Sequence, residues 1–468
     1  MRHGFFEVAR VSNPCIAFGY KMHGLETRAT LLAFVLCLFA ALARASEEIP
    51  APPQAKPIAI VGATVHPISG PEIEHATLIF DGGKITALGS AELSIPSLAE
   101  KIDASGKHVY PGLVDATSDL GLVEINSVRA SRDTSETGSI NPNARPEVAI
   151  NPDSELIPVA RANGVLITGV TPSGGVLSGS VAMVQLDGWT WEDMTLRAPI
   201  GIVMSWPDMS PIRAWWMQDS ARKQAEKRDE ALKHIRIVFD DARAYQAAKN
   251  KPDSPTSQPS FDARWEAMIP LLEGKIPLIV RADEVQQIEA AVAFAQRQKV
   301  KLIIEGGYDA ANCANLLKEH DVPVIVGAVQ RLPARRNDDY EDPATLPARL
   351  AKAGVKFCIS GRDRGAMLRN LPYHAAAAVA AGLPHDDGVK SITLWPAEIL
   401  GVADRVGSLE AGKDATLIVT DGDPLQTPTH VEQAFIQGRK IDLDDRQQRL
   451  WKKYQQKYKQ APAEKASP

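Results

Sequence analysis

A chain of 468 residues has room for two or three domains and a large core. Charged residues make up 23% and apolar residues 44%, the balance of an ordinary globular protein and not of a disordered one. A formal net charge of −5 gives no reason to expect nucleic-acid binding.

The chain opens with a targeting signal. Arg28 precedes the apolar run LLAFVLCLFAALARA (31–45), and small residues at Ala43 and Ala45 form a cleavage pattern. This predicts a signal peptide over 1–45 and an exported, periplasmic protein, with no transmembrane segment after cleavage. The run is short for a membrane span; an uncleaved anchor is the competing reading. Met22 is an alternative start, because the residues before it read as neither leader nor domain. Cys313 and Cys358, the cysteines beyond the cleavage, lie too far apart for a disulfide framework and read as buried thiols.

A polar, Pro-rich linker covers 46–57. IAIVGATVHPISG and ATLIFDGGKITALG then read as strand pairs joined by Gly/Asp turns. Similar patterning returns in VGSLEAGKDATLIVTDGDPL (406–425) and VEQAFIQGRKI (431–441). The expectation is one composite β domain from 54–110 plus 400–441, a small sandwich built from both ends of the chain.

Between them, 111–399 alternates short apolar strands with helical stretches. Candidate strands fall at 110–116, 164–170, 181–186, 200–206, 276–282, 301–306, 323–329 and 355–360. Eight of them predict a (β/α)8 TIM-type barrel. A doubly wound sheet is the alternative, but no Gly-rich phosphate turn follows the first strand. A helical insertion rich in Trp, Arg and Lys occupies 207–262. A C-terminal helix and tail occupy 442–468, where the basic run RQQRLWKKYQQKYKQ reads as a solvated face, with a membrane-surface role the lesser alternative.

VYPGLVDATSD, GVLITGVTPSGG, PLIVRADE, KLIIEGGYDA, LPYHAAAAVAAGL and LWPAEILGVADRVGSLEAGKDATLIVTDGDPL together resemble the amidohydrolase superfamily, in particular its secreted imidazolonepropionase-like branch. The resemblance covers most of the mature chain, and the last run is its most specific part. It implies metal-assisted hydrolysis of C–N bonds, with one or two divalent ions at the barrel mouth lowering the pKa of a bound water to about 7. It also implies ligands from a His-x-His pair ending strand one, single histidines ending strands five and six, and an Asp ending strand eight. Many members add a carboxylated Lys or a Glu from strand four. Homo-oligomers are common in the family.

This sequence departs from that pattern. The His-x-His pair falls on Thr117 and Asp119, the strand-five His on Arg281, the strand-six His on Gly306, and the strand-eight Asp near Ser360 and Gly361. Strand four offers neither Lys nor Glu. A catalytic zinc wants at least three protein ligands, and Arg281 is a permanent cation that repels an ion. The family metal site is therefore expected to be lost, with a divalent metal held only if carboxylates rebuild it.

Asp119, Arg281, Glu305 and Asp363 are the pocket candidates, with Asp283 beside them. An Arg281–Asp119 pair, direct or through Glu305, would replace the ion's charge; an anion clamp is the functional alternative. A carboxylate pair here could still serve acid–base work or a hard cation. Helix capping and surface placement are the plainer alternatives, and Asp283 fits a helix start. His374 offers a base or a packing His. TPSGGVLSGS (171–180) offers an anion cradle or a flexible turn. Trp206, Trp215 and Trp216 offer pocket walls or packing for the insertion. Two functions remain open. One is an amidohydrolase-type hydrolase with a rearranged site. The other is a non-catalytic exported protein that binds a small molecule or a partner at the barrel mouth.

Overall fold

The computed structural model describes residues 48–250, 259–361 and 365–460. The leader at 1–45, Asp363, residues 251–258 and residues 461–468 lie outside them.

β-branched runs form the first strands. β1 (Ile58–Val65), β2 (Ile73–Asp81), β3 (Lys84–Gly89), β4 (Glu100–Asp103) and β5 (His108–Pro111) precede the barrel. Gly82 and Gly83 turn β2 into β3 with φ of +54° and +80°, the left-handed pair that a tight hairpin requires. β1 changes partner at Gly62: Ile58–Val61 run parallel to β4, and Thr64–Val65 run parallel to β5. Gly62 has φ +79°, and a Cβ there would sit 2.5 Å from Ser105 Oγ. Gly62→Ala is expected to lower stability by about 1–3 kcal/mol, measurable by urea denaturation.

Eight further strands make the barrel sheet: β6 (Leu113–Ser118), β7 (Val165–Val170), β8 (Leu177–Gln185), β9 (Thr195–Ser205), β10 (Leu278–Ala282), β11 (Leu302–Gly306), β12 (Val324–Val326) and β13 (Phe357–Ile359). They pair in chain order, β6 at one end and β13 at the other. The gap between those two is bridged: Val114 N–H donates to Ile392 O (2.8 Å) and Ile359 N–H to Ser391 O (3.0 Å). The expected (β/α)8 pattern needs one correction. β8 runs antiparallel to both β7 and β9. Only residues 171–176 join β7 to β8, far short of the dozen or so that a parallel crossover takes.

The helices are α1 (Leu156–Arg161), α2 (Trp191–Met194), α3 (Ala221–Lys249), α4 (Ala263–Leu272), α5 (Val285–Gln298), α6 (Ala314–Glu319), α7 (Asp342–Ala353), α8 (Leu371–Ala380), α9 (His385–Lys390), α10 (Leu394–Ile399) and α11 (Arg446–Gln460). Helices follow each strand from β9 onward. α5 shows why. A capping box between Glu284 and Gln287 starts it, and Ile288, Ala291, Val292 and Ala295 bury one stripe. The insertion helix α3 buries Ile235, Val238, Phe239, Ala242 and Tyr245. Phe239 meets Phe294 of α5 edge-on at 4.9 Å, and Trp206 meets the same ring at 5.5 Å. Trp206 is therefore packing, whereas Trp215 and Trp216 are exposed.

β14 (Leu417–Thr420), β15 (Val431–Ile436) and β16 (Arg439–Ile441) return to the first sheet, with β14 antiparallel to β5. Its order is β16-β15-β14-β5-β1-β2-β3, with β4 beside β1. Pairing runs through all eight strands without a break. Phe80 of β2 and Phe435 of β15 meet edge-on at 5.2 Å in a second apolar cluster. Cys313 and Cys358 are buried and unpaired in a disulfide sense. Among the described residues no helix is long and apolar enough to cross a membrane.

Candidate functional site

Strand alternation places Asp115 and Thr117 on one face of β6, with Asp119 just beyond its end. Asp115 is fully buried. Its carboxylate accepts four hydrogen bonds. Oδ1 takes Ser360 Oγ–H at 2.8 Å and Gly361 N–H at 3.2 Å; Oδ2 takes Thr117 N–H and Thr168 Oγ1–H, both at 3.2 Å. Ser360 also lies 3.2 Å from Thr117 Oγ1, and Ser118 Oγ lies 2.9 Å from Thr168 Oγ1. This hydroxyl cluster ties β6 to the residues just after β13, across the gap in the barrel. Burial pushes the Asp115 carboxyl up to about 7, against the four donors, which pull it down.

Arg281 and Glu305 are register partners on the parallel strands β10 and β11, so their side chains share a face. Arg281 Nε donates to Glu305 Oε2 at 3.1 Å, and its terminal nitrogen donates to Pro172 O at 3.0 Å. Glu305 is 2% exposed. The expectation was an Arg281–Asp119 contact, direct or through Glu305; the structure shows Arg281 paired with Glu305. Asp119 is held elsewhere, accepting from Gly365 N–H at 2.5 Å.

The remaining candidates separate. Asp283 precedes the Glu284 cap of α5, and its N–H is bonded by Gln287. His374 is buried in the first turn of α8, where its Nδ1 accepts from Gln330 N–H at 3.4 Å. The 171–180 loop spends its N–H groups on the chain beside it: Ser173 on Thr134 O, Val176 on Ser139 O, Ser180 on Ala144 O. Those three donors already have acceptors. A cleft of about 1300 Å³ opens near Lys275, Lys301, Lys356 and Trp395. It lies where β10, β11 and β13 begin, the opposite end from the substituted ligand positions. In barrels of this type chemistry sits where strands end, so the cleft is not the candidate site.

The comparisons fit this geometry. The amidohydrolase family model matches residues 283–441. Amidohydrolase tasK of Hapsidospora irregularis is 23% identical over 377 residues, which is 74% of this chain and 37% of that protein. The chain thus spans little more than a third of the length of that curated relative. The structure of an amidohydrolase from Thermotoga maritima MSB8 superposes with a TM-score of 0.72 at 26% identity, covering 82% of this chain and 99% of that one. A Xaa-Pro dipeptidase with bound methionine shares the fold, with a TM-score of 0.52 at 13% identity over 82% of this chain and all of that one. These findings support the amidohydrolase superfamily.

An amidohydrolase commonly holds divalent metal, and the residues here do not fit one. At the strand-five position stands a guanidinium already bonded to a carboxylate. At the strand-six position Gly306 has φ +106°, a conformation that disfavours a histidine. At strand one Thr117 presents a neutral hydroxyl beside Ser360, and Gly361 has no side chain to offer. Among the described residues no three His, Cys, Asp or Glu side chains come together as a cation site. The sequence reading missed Asp115 as the centre of the cluster. Its signal was the spacing of Asp115 and Thr117, which share one face of an extended strand.

Proposed function

We propose that this chain is a non-catalytic amidohydrolase relative, exported to the envelope, where it acts by binding a small molecule or a partner at the barrel mouth. The observation that carries the reading is the Arg281–Glu305 pair. It puts a fixed cation where the family pattern has a histidine ligand, and it neutralises the one carboxylate on β11. A divalent ion there would face a guanidinium at hydrogen-bonding range of the same Glu305.

A second reading, an amidohydrolase-type hydrolase of C–N bonds with a rebuilt site, is favoured by Asp115. A carboxyl titrating near 7 beside the Ser360 hydroxyl is suited to proton transfer. Turnover of dipeptides and N-acyl amino acids separates the two. The expected result is no hydrolysis above background, with or without added zinc, manganese or cobalt. Turnover that chelator abolishes would overturn the first reading. Chelator-resistant turnover that Asp115→Asn abolishes would establish the second.

A further inference from the structure

The C-terminal helix α11 turns an uncovered aromatic stripe away from the protein. Leu450, Trp451, Tyr454 and Tyr458 recur at helical spacing within an arc of about 100°. They are 41%, 62%, 49% and 74% exposed, and no residue of the helix is buried. The opposite side holds the body: Arg449 pairs with Glu155 at the start of α1 (3.4 Å), and Lys452 with Asp444 (2.9 Å). A helix that packs on its own domain does the reverse, burying its apolar stripe and leaving charge outside.

Charge selects what covers it. Residues 446–460 carry Arg446, Arg449, Lys452, Lys453, Lys457 and Lys459 and no acidic residue. A second copy of the helix would bring the same cations against these. An anionic surface is complementary. Trp and Tyr rings are amphipathic and favour the head-group level of a bilayer, while long lysines beside them reach anionic lipid. Fifteen residues span about 22 Å, too short to cross a core of about 30 Å. The helix therefore lies on a surface and does not pass through it. The start of the described chain lies on the same helix α1, since Glu48 pairs with Arg161 (2.6 Å).

We propose that α11 docks the protein on an anionic phospholipid membrane, its aromatic stripe at the head-group level and its lysines on lipid phosphates. Full-length protein is sedimented with vesicles of phosphatidylcholine alone and with vesicles containing about one third phosphatidylglycerol, at about 0.05 M and 0.5 M salt. Binding is expected to the anionic vesicles at low salt, with release at high salt. It should weaken about tenfold or more in Trp451→Ala/Tyr454→Ala/Tyr458→Ala and in Arg446→Glu/Lys453→Glu/Lys457→Glu. All six side chains are exposed, so unchanged melting curves would certify the fold of both variants. No binding to anionic vesicles, or binding that neither variant weakens, would overturn the proposal. So would equal binding to soluble polyglutamate that the aromatic variant retains. A vesicle-free dimer dissolved by that variant would assign the stripe to a second copy and overturn it too.

Discussion

Arg281→Ala is expected to lower the unfolding free energy by about 3 kcal/mol, the low end of the range for breaking a buried ion pair. Arg281 keeps 18% of its side chain exposed, whereas Glu305 keeps 3%. Removing the guanidinium withdraws the charge-assisted bond from a carboxylate inside the barrel and leaves Pro172 O without that donor. The double variant Arg281→Met/Glu305→Leu should recover most of the loss, because desolvation of both charges is relieved together. Urea denaturation of the two variants and the native protein measures this directly. A loss under about 0.5 kcal/mol for Arg281→Ala would mean that the pair does nothing to hold the mouth.

The second large effect is on pH dependence. Burial holds the Asp115 carboxyl near 7 in the folded chain, against a reference of 3.8. Below the reference value both states are protonated. Between the two values the unfolded state has lost its proton and the folded state keeps it, so stability falls as pH rises; above about 7 it levels. Asp115→Asn removes the titration. The stability of the native protein relative to this variant should therefore drop by up to about 3 kcal/mol from pH 4.5 to pH 7.5. The variant has its own cost at every pH. Gly361 N–H and Thr117 N–H donate to different oxygens of Asp115, and an amide can accept only one of them. Denaturation curves at pH 4.5, 6 and 7.5 supply the comparison. A difference that stays constant with pH would show that Asp115 keeps one protonation state throughout.

How far the sequence could be read follows from the kind of information each feature needs. Strands β10 to β13 were legible because each is a short apolar run closed by a helix pattern, and local periodicity suffices for that. The direction of β8 was not legible from its own residues, since alternation is the same in either direction. Only the short link 171–176 carried it. The turns at Gly82 and Gly83 were legible because two adjacent glycines are what a left-handed turn demands. At the mouth, the residue types at Thr117, Arg281 and Gly306 could be read one by one. The cross-strand register that sets Arg281 against Glu305, and so leaves Asp119 to Gly365, could not: it depends on how β10 and β11 align. Asp115 was overlooked because it sits inside an apolar strand, where a lone carboxyl is easily passed over. Its partners Ser360 and Gly361 lie at the far end of the barrel sequence and are brought to it only by the meeting of β6 and β13.

The proposal that the Arg281–Glu305 pair stands in place of the family ion is tested most directly by metal content. Protein purified without chelator, then incubated with equimolar zinc, manganese and cobalt and desalted, can be measured by plasma mass spectrometry. Far less than one divalent ion per chain is expected, because a catalytic site needs about three ligands and the substituted positions do not supply them. One or two ions per chain, reduced by mutation of Asp119 or Glu305, would contradict it.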